Sequence, residues 1–338
     1  MTIARDFTNP QNIVEYTSEL MLYPNEYGLL NEKGLFTNKY ISQNTVQFES
    51  KGGVISVIPD AHRGTRHFVN KGDLGKMVTY SSTFHPLDDA LFAHELVGKR
   101  RFGTPDQLDT EALAIADKLK AIRKAHSATL ETARWYTLVT GSQYSPSGTQ
   151  SANFYTDMGV TRVEKDCLLG TATTEVIQIV QEGIAAIQDT IQSGEVITGF
   201  TAFCSPTFFA KLTKQSKVQQ AYTYYASTQE PLRNGFRSGQ YQSFRHGNVL
   251  YLEVRGGYNG QTFIPAGDAY LVAEGTTDSF QTVWTPSEKF DTIGTIAEEA
   301  YVWMYRSQRN DKIEIESSSS FINVLRRPQA VVRLFSSN

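Results

Sequence analysis

The sequence predicts an α+β fold, and three observations carry that expectation. Residues 104–140 hold one long amphipathic helical pattern, residues 174–191 hold a second, and short β-type runs separated by Gly, Asn and Pro turns fill most of the remaining chain. No repeat of fixed period is visible, which excludes solenoids and propellers.

The long helix has a well-marked start. Thr104 caps it, Pro105 takes the first helical position, and Asp106, Asp109 and Glu111 sit at the positive end of the helix dipole. Leu108, Ala112, Ile115, Leu119, Ile122, His126, Leu130 and Ala133 step by three or four along one stripe, while Asp117, Lys118, Lys120, Arg123 and Lys124 lie mostly off it. At 1.5 Å per residue such a helix spans roughly 50 Å, against about 11–12 residues for an average globular helix. That is the length of a strut, with the packing stripe formed by Leu108, Ile115, Leu119, Ile122 and Leu130.

Before the strut, residues 1–45 read as an arm with a short helical piece near Asn9 to Met21. Thr45 to Phe84 reads as a long two-stranded excursion that turns at Asn70-Lys71-Gly72-Asp73 and returns through Met77-Val78-Thr79-Tyr80. Its tip carries Arg63, Arg66, Lys71 and Lys76 against Asp73, so it is locally basic. A ribbon of two strands is marginal alone and is expected to rest on something else. After the strut, Tyr136 to Val139 and Asn153 to Met158 read as strand-like. The second helix spans Thr174 to Ile191 with Gly194 as its cap, Val196 to Phe203 reads as a buried strand, and a helix starts at Pro206. The closing runs Asn248–Val254, Phe263–Pro265, Tyr270–Ala273, Tyr301–Tyr305, Ile313–Ile315 and Phe321–Leu334 are β.

Composition bounds the function. The chain has 338 residues, enough for two lobes or one body with extensions, and 40% hydrophobic against 20% charged residues excludes wholesale disorder. No apolar run approaches the roughly 18–20 residues of a membrane span, and Met1 to Asp6 shows no secretory h-region, so a soluble cytoplasmic chain with no membrane role is expected. Cys167 and Cys204 offer neither a disulfide framework nor a zinc spacing and read as buried thiols. A net charge of -3 gives no global attraction to nucleic acid.

The constellations of catalysis are missing or weak. The chain has no G-x-S-x-G elbow, phosphate loop, dinucleotide fingerprint, H-E-x-x-H or EF-hand, so no catalytic, cofactor-binding or metal residues are expected. His62 and His67 read as solvated loop histidines, His94 has no second histidine four residues on, and His126 reads as a hydrogen-bonded packing histidine ahead of a general base. Asp88-Asp89 reads as a surface turn after His85-Pro86. Lys99-Arg100-Arg101 could meet phosphate, although a neighbour's carboxylates fit better, and Arg326-Arg327 allows the same two readings beside plain solvation. The aromatic group Tyr222, Tyr224, Tyr225, Phe236, Tyr241 and Phe244 lacks the interleaved basic residues of a base-stacking platform and reads as packing.

An arm, a basic β excursion, a strut helix, a small α/β lobe and a closing β segment stand in the order of the capsid subunit fold named after phage Hong Kong 97. The chain resembles the lambda-type major capsid proteins, the capsid protein E family, at several places. These are Tyr40-Ile41-Ser42-Gln43, Tyr136 to Gly141, Asp157-Met158-Gly159, Phe203-Cys204-Ser205-Pro206, Phe263-Ile264-Pro265 followed by Tyr270-Leu271-Val272 and Gly275, and Arg327-Pro328. The resemblance covers most of the chain and rests on the order and spacing of these pieces.

It implies an N-terminal arm over 1–45, an extended β-hairpin E-loop over 46–95, and a peripheral domain over 96–170 with the spine helix at 104–140. An axial domain would follow over 171–295, and 296–338 would be a closing β segment returning to the peripheral domain. It further implies self-assembly through hexamers and pentamers into an icosahedral phage head that encloses double-stranded DNA without specific binding. Assembly in the host cytoplasm would precede residence in the virion. Only 103 residues precede Thr104, so scaffolding is expected from a separate protein, with a portal and an optional decoration protein as further partners. Arg63, Arg66, Lys71, Lys76, Lys99, Arg100 and Arg101 are the expected inter-subunit contacts. Crosslinking between subunits is not expected, because no Lys, Asn and Glu trio is identifiable. The alternatives are another phage structural subunit, tail or portal-associated, or a cytoplasmic enzyme with an unrecognised site.

Overall fold

The computed structural model describes residues 28–50, 76–96, 111–148, 152–191, 195–220, 242–258 and 261–338. In chain order the first elements are a one-turn helix α1 (Leu29–Glu32), strands β1 (Thr37–Tyr40), β2 (Thr45–Ser50), β3 (Lys76–Ser81) and β4 (Thr83–Phe92), a second short helix α2 (Ala93–Leu96) and the long helix α3 (Glu111–Thr140). Next come α4 (Phe154–Met158), β5 (Val163–Asp166), α5 (Val176–Ile191), β6 (Gly199–Cys204), α6 (Pro206–Lys214), β7 (Ser243–His246) and β8 (Val249–Glu253). The chain closes with β9 (Gly257–Tyr258), β10 (Gln261–Thr262), β11 (Asp268–Glu274), β12 (Phe280–Trp284), β13 (Tyr301–Arg306), β14 (Lys312–Leu325) and β15 (Val331–Phe335). The expected α+β class is what these elements form. The cap at Thr104, Leu108, the cap at Gly194 and Tyr222 to Tyr241 lie outside the described residues.

Two sheets organise the chain. One has five strands centred on β14, whose one edge pairs antiparallel with β13 and then β12, while its other edge pairs with β4 from Lys312↔Phe92 to Phe321↔Thr83; β1 adds in parallel to β12. The other has six strands in the order β5-β15-β11-β6-β8-β7. The expected closing segment is therefore shared: β14 belongs to the first sheet and β15 to the second. Arg327-Pro328 marks the break, because a 3-10 turn at Pro328–Ala330 interrupts the strand expected across Phe321 to Leu334, and proline has no N–H for a ladder.

At 1.5 Å per residue α3 is about 45 Å long, and fourteen residues of β14 at 3.3 Å reach a similar length. Helix and strand share a common extent, and α3 bridges three apolar clusters. Ile115, Leu119 and Ile122 pack on Leu91, Val302, Met304, Ile313 and Ile315. Leu130 and Ala133 meet Trp284, Ala297 and Phe321. Trp135, Leu138 and Val139 enter the large core shared with the six-stranded sheet, where the Trp135 ring lies 5.2 Å from Phe203 and 5.5 Å from Phe263. On α5, Val176, Val180, Gly183, Ile184, Ile187 and Ile191 form the buried face at helical spacing. Gly183 allows the close approach, since a Cβ there would meet Leu271 at 3.3 Å.

Local sequence rules explain most starts and stops. Ser205 accepts the Phe208 N–H and Pro206 occupies the first turn of α6. Arg162 donates to the Val139 carbonyl at 2.6 Å, closing the end of α3. Several expectations are corrected. Tyr136 to Val139 is not strand but the last turn of α3, and Phe154 to Met158 is helix, because Asn153 accepts the N–H groups of Tyr155 and Thr156 while Gly159 ends it at φ 69°. Asp88-Asp89 is not a turn but the middle of β4, opposite Glu316 and Ile315. Arg123, placed off the apolar stripe by helical spacing, is buried against Glu299 at 2.6 Å.

Ile187 has no exposed surface, whereas Ile177, about a quarter turn round α5 from it, is 41% exposed. Ile187→Ala is expected to cost about 2–5 kcal/mol in denaturant unfolding of the subunit, and Ile177→Ala less than about 1 kcal/mol.

Candidate functional site

The most constrained polar centre lies where the N-terminal segment crosses α3. Arg134 is 1% exposed. Its Nη1 donates to Asn31 Oδ1 at 3.0 Å, its Nη2 to Asn38 Oδ1 at 3.0 Å and its Nε to the Thr282 hydroxyl at 3.1 Å. Its guanidinium also lies 5.5 Å from the Phe36 ring centre. One turn earlier, Glu131 Oε1 accepts the Leu30 N–H and the Trp135 indole N–H, both at 2.9 Å. Burial pushes the Glu131 carboxyl up and lowers Arg134 to about 10, which leaves the arginine charged at neutral pH. Gly28 lets the chain pass, because at φ 123° a Cβ would lie 2.2 Å from Glu131 Oε2. Thr282 donates in turn to Asn323 Oδ1 at 2.8 Å, so one guanidinium ties α1, β1, α3, β12 and β14 together.

Sequence reasoning missed this centre. Its only sequence signal is an acid and a base three apart on α3 beside Trp135, where the apolar pattern widens from one stripe to most of the helix. A second tie joins Arg123 to Glu299, which also accepts from the Tyr40 hydroxyl at 3.3 Å.

Two buried histidines are held neutral and hydrogen-bonded. His126 is buried, and its Nε2 lies 3.0 Å from the Ser317 hydroxyl. That hydroxyl donates to the Leu87 carbonyl, so His126 must be the donor through its Nε2–H. His85 repeats the arrangement with Thr83, whose hydroxyl donates to the Phe321 carbonyl. Burial lowers both imidazoles to about 4, and His85 and Arg123 reinforce this at His126. Lys118 pairs with Asp89 at 2.8 Å. The Cys167 thiol is pushed up to about 12 by burial and that of Cys204 well above its ordinary value, so neither is a nucleophile at neutral pH. Among the described residues no cluster of three His, Cys, Asp or Glu side chains is suited to a metal ion.

The expected contact residues Arg63, Arg66, Lys71, Lys99, Arg100 and Arg101 lie outside the described residues, as do His62 and His67. For Lys76 the backbone is described, at the first position of β3 opposite Ser50. Ile115, Leu119, Ile122 and Leu130 are all buried. His94 sits in α2 beside the Phe92 ring. Arg326 and Arg327 lie 3.5 Å from Asp278 and Glu195, within the chain. Phe244 packs on His246 and Tyr251.

An α+β chain with two sheets spanned by one long helix has the fold of a phage capsid subunit. The fold matches a crystal structure assigned to the capsid protein of a prophage in Escherichia coli CFT073, with TM-score 0.59 at 12% identity over 95% of this chain and 99% of that one. It also matches the mature capsid of bacteriophage PhiM1, with TM-score 0.51 at 12% identity over 90% and 85%. The chain belongs to the phage major capsid protein E family, whose profile matches residues 13–336. It is similar to the major capsid protein of Pseudomonas phage KPP10, 35% identical over 97% of this chain and 99% of the relative. The major capsid protein of Salmonella phage Felix O1 is 24% identical over 95% of both. The protein is thus a structural phage capsid protein and not an enzyme.

Arg134→Met is expected to destabilise the subunit by about 3–5 kcal/mol in denaturant titration, because Asn31, Asn38 and Thr282 lose a buried donor together and Glu131 loses a neighbouring positive charge. The histidines set a pH dependence. In the unfolded chain they protonate near 6.5 and in the native state only near 4, so stability is full above pH 6.5 and falls as the pH drops towards 4. The slope is on the order of 1 kcal/mol per pH unit for each histidine. His126→Gln should flatten the fall in unfolding free energy between pH 6.5 and 4; an unchanged slope would show that His126 titrates normally.

Proposed function

We propose that the chain assembles with copies of itself, through hexamers and pentamers, into the icosahedral head of a phage around double-stranded DNA. The observation that carries this reading is the family match over residues 13–336 together with relatives named as major capsid proteins along their full length. The long bridge of helix and strand supports it, because a shell wall needs extended surfaces in place of one pocket. In this reading residues 1–45 are the arm and 46–95 the E-loop. The base of the E-loop would be the β2–β3 ribbon, whose strands are paired from Thr45↔Ser81 to Ser50↔Lys76 and precede and follow residues 51–75 in the chain. The peripheral domain, 96–170, is built on α3, the axial domain, 171–295, takes most of the six-stranded sheet, and 296–338 closes the subunit.

Arg63, Arg66, Lys71 and Lys76 on the excursion, and Lys99, Arg100 and Arg101 before the helix, meet acidic surface on adjacent subunits. A separate scaffolding protein, a portal and an optional decoration protein complete the head, which forms in the host cytoplasm. DNA is enclosed without specific contact, consistent with a net charge of -3.

Purified subunits should yield capsomers or closed shells by size-exclusion chromatography and negative-stain microscopy; monomers under all conditions would overturn the assignment. Exposed ion pairs contribute only about 0–1 kcal/mol each, but repetition around a capsomer adds them. Arg63→Glu with Arg66→Glu should leave thermal unfolding of the free subunit unchanged and cut closed-shell yield severalfold. Wild-type yield should fall as salt rises.

A further inference from the structure

The loop between β12 and β13 presents apolar side chains to solvent from a braced frame. Phe290 is 91% exposed, Ile293 70% and Ile296 72%. Single exposed apolar residues are ordinary on a protein surface, but three within seven residues form a ridge. The frame beneath is fixed. The Thr292 hydroxyl reaches the carbonyls of Ser287 at 2.7 Å and Lys289 at 2.8 Å, and the Thr295 hydroxyl donates to the Thr292 carbonyl. The Ala297 N–H donates to the Ile41 carbonyl at 3.1 Å. Lys289 pairs with Glu316 and lies over the Trp303 and Tyr305 rings. A loop held this firmly does not fold its apolar side chains back.

The ridge and a hollow are separate surfaces built from different residues. Ser318 meets Ser287 at the root of the ridge loop, Ala297 and Glu299 at its other end reach α3, and Ser317 meets His126 beside the hollow. On the α3 face, between β4, α3 and the 145–147 loop, is a hollow of about 320 Å³. Its walls include Phe84, Pro86, Leu87, Ala125 and Pro146. Its two histidines, His85 and His126, are neutral and paired with Thr83 and Ser317, and its other polar members, Thr83, Thr129, Ser145 and Ser147, are uncharged hydroxyls, so an apolar guest strands no charge.

We infer that the Phe290, Ile293 and Ile296 ridge of one subunit docks in the β4–α3 hollow of a second copy of this chain. The inference rests on the shell-forming reading above and names the surface it would use. Exposed Glu288, Asp291 and Glu298 flank the ridge, which disfavours nucleic acid or an anionic membrane as the occupant and leaves a protein. In an assembly of one repeated chain, a hollow of suitable lining is present on every neighbour. A contact between two different surfaces is heterologous and propagates from copy to copy, as a closed wall requires, whereas a ridge meeting a ridge around a two-fold axis would stop at a dimer.

The test places cysteines on exposed residues at both surfaces, Ile293→Cys and Ser147→Cys, in the full chain; native Cys167 and Cys204 are buried and do not react. After assembly and treatment with a short bismaleimide, the double variant is expected to give a covalent ladder beyond dimer on denaturing gels, and each single variant to remain mainly monomeric. Phe290→Ser should lower assembly yield at least fivefold while leaving the thermal unfolding of the free subunit unchanged. Normal shells with no ladder from the double variant would overturn the docking and leave the shell function standing. Crosslinked dimers from Ile293→Cys alone, or wild-type assembly by Phe290→Ser, would overturn it as well.

Discussion

A buried guanidinium has no tolerance for partial solvation, and Arg134 imposes that condition on five elements at once. Its donors find oxygens on Asn31, Asn38 and Thr282, contributed by the segment before β1, by β1 itself and by β12. Losing any one leaves a charged donor desolvated inside the protein, at a cost of several kcal/mol. The parallel seat of β1 on β12, the passage at Gly28 and the rotation of α3 about its own axis are all set by these contacts. An apolar helix face could slide or roll by a turn; a charged fork matched to fixed oxygens cannot.

With α3 locked, its apolar stripe becomes a continuous bridge. The first half rests on Ile313, Ile315, Val302 and Met304, and the last turns enter the core of the six-stranded sheet through Trp135. The central strand β14 changes character along its length to suit. Its first residues alternate between the helix and solvent, and from Ser317 onward both faces are buried. The serines there are tolerated because their hydroxyls have partners, Ser317 with Leu87 and Ser319 with Glu299 among them. The result is a structure whose polar interior is spent on position. His85 and His126 serve as neutral donors and the Cys167 and Cys204 thiols stay protonated.

The stripe Ile115, Leu119, Ile122 and Leu130 was legible because a period of 3.6 survives any tertiary context that buries one side of a helix. The cap at Ser205-Pro206 and the paired strands β2 and β3 were legible for similarly local reasons. Tyr136 to Val139 was not, because β-branched and aromatic residues favour strands only until packing overrides the preference, and here the whole last turn is enclosed around Trp135 and Leu138. Asp88-Asp89 looked like a surface turn because it follows His85-Pro86; β4 instead runs on through Pro86, and Lys118 reaches Asp89 from α3.

The family was readable from the order and spacing of segments, and so were the helical class of α3 and α5 and the absence of a catalytic signature, since each depends on neighbours in sequence. The Arg134 centre, the burial of Arg123, the neutral histidine pairs and the exposed Phe290 ridge were decided only in three dimensions. Asn31, Asn38, Arg134 and Thr282 are scattered over some two hundred and fifty residues of chain. No propensity or periodicity links positions so far apart, and only the cost of burying an unmatched charge brings them to one point.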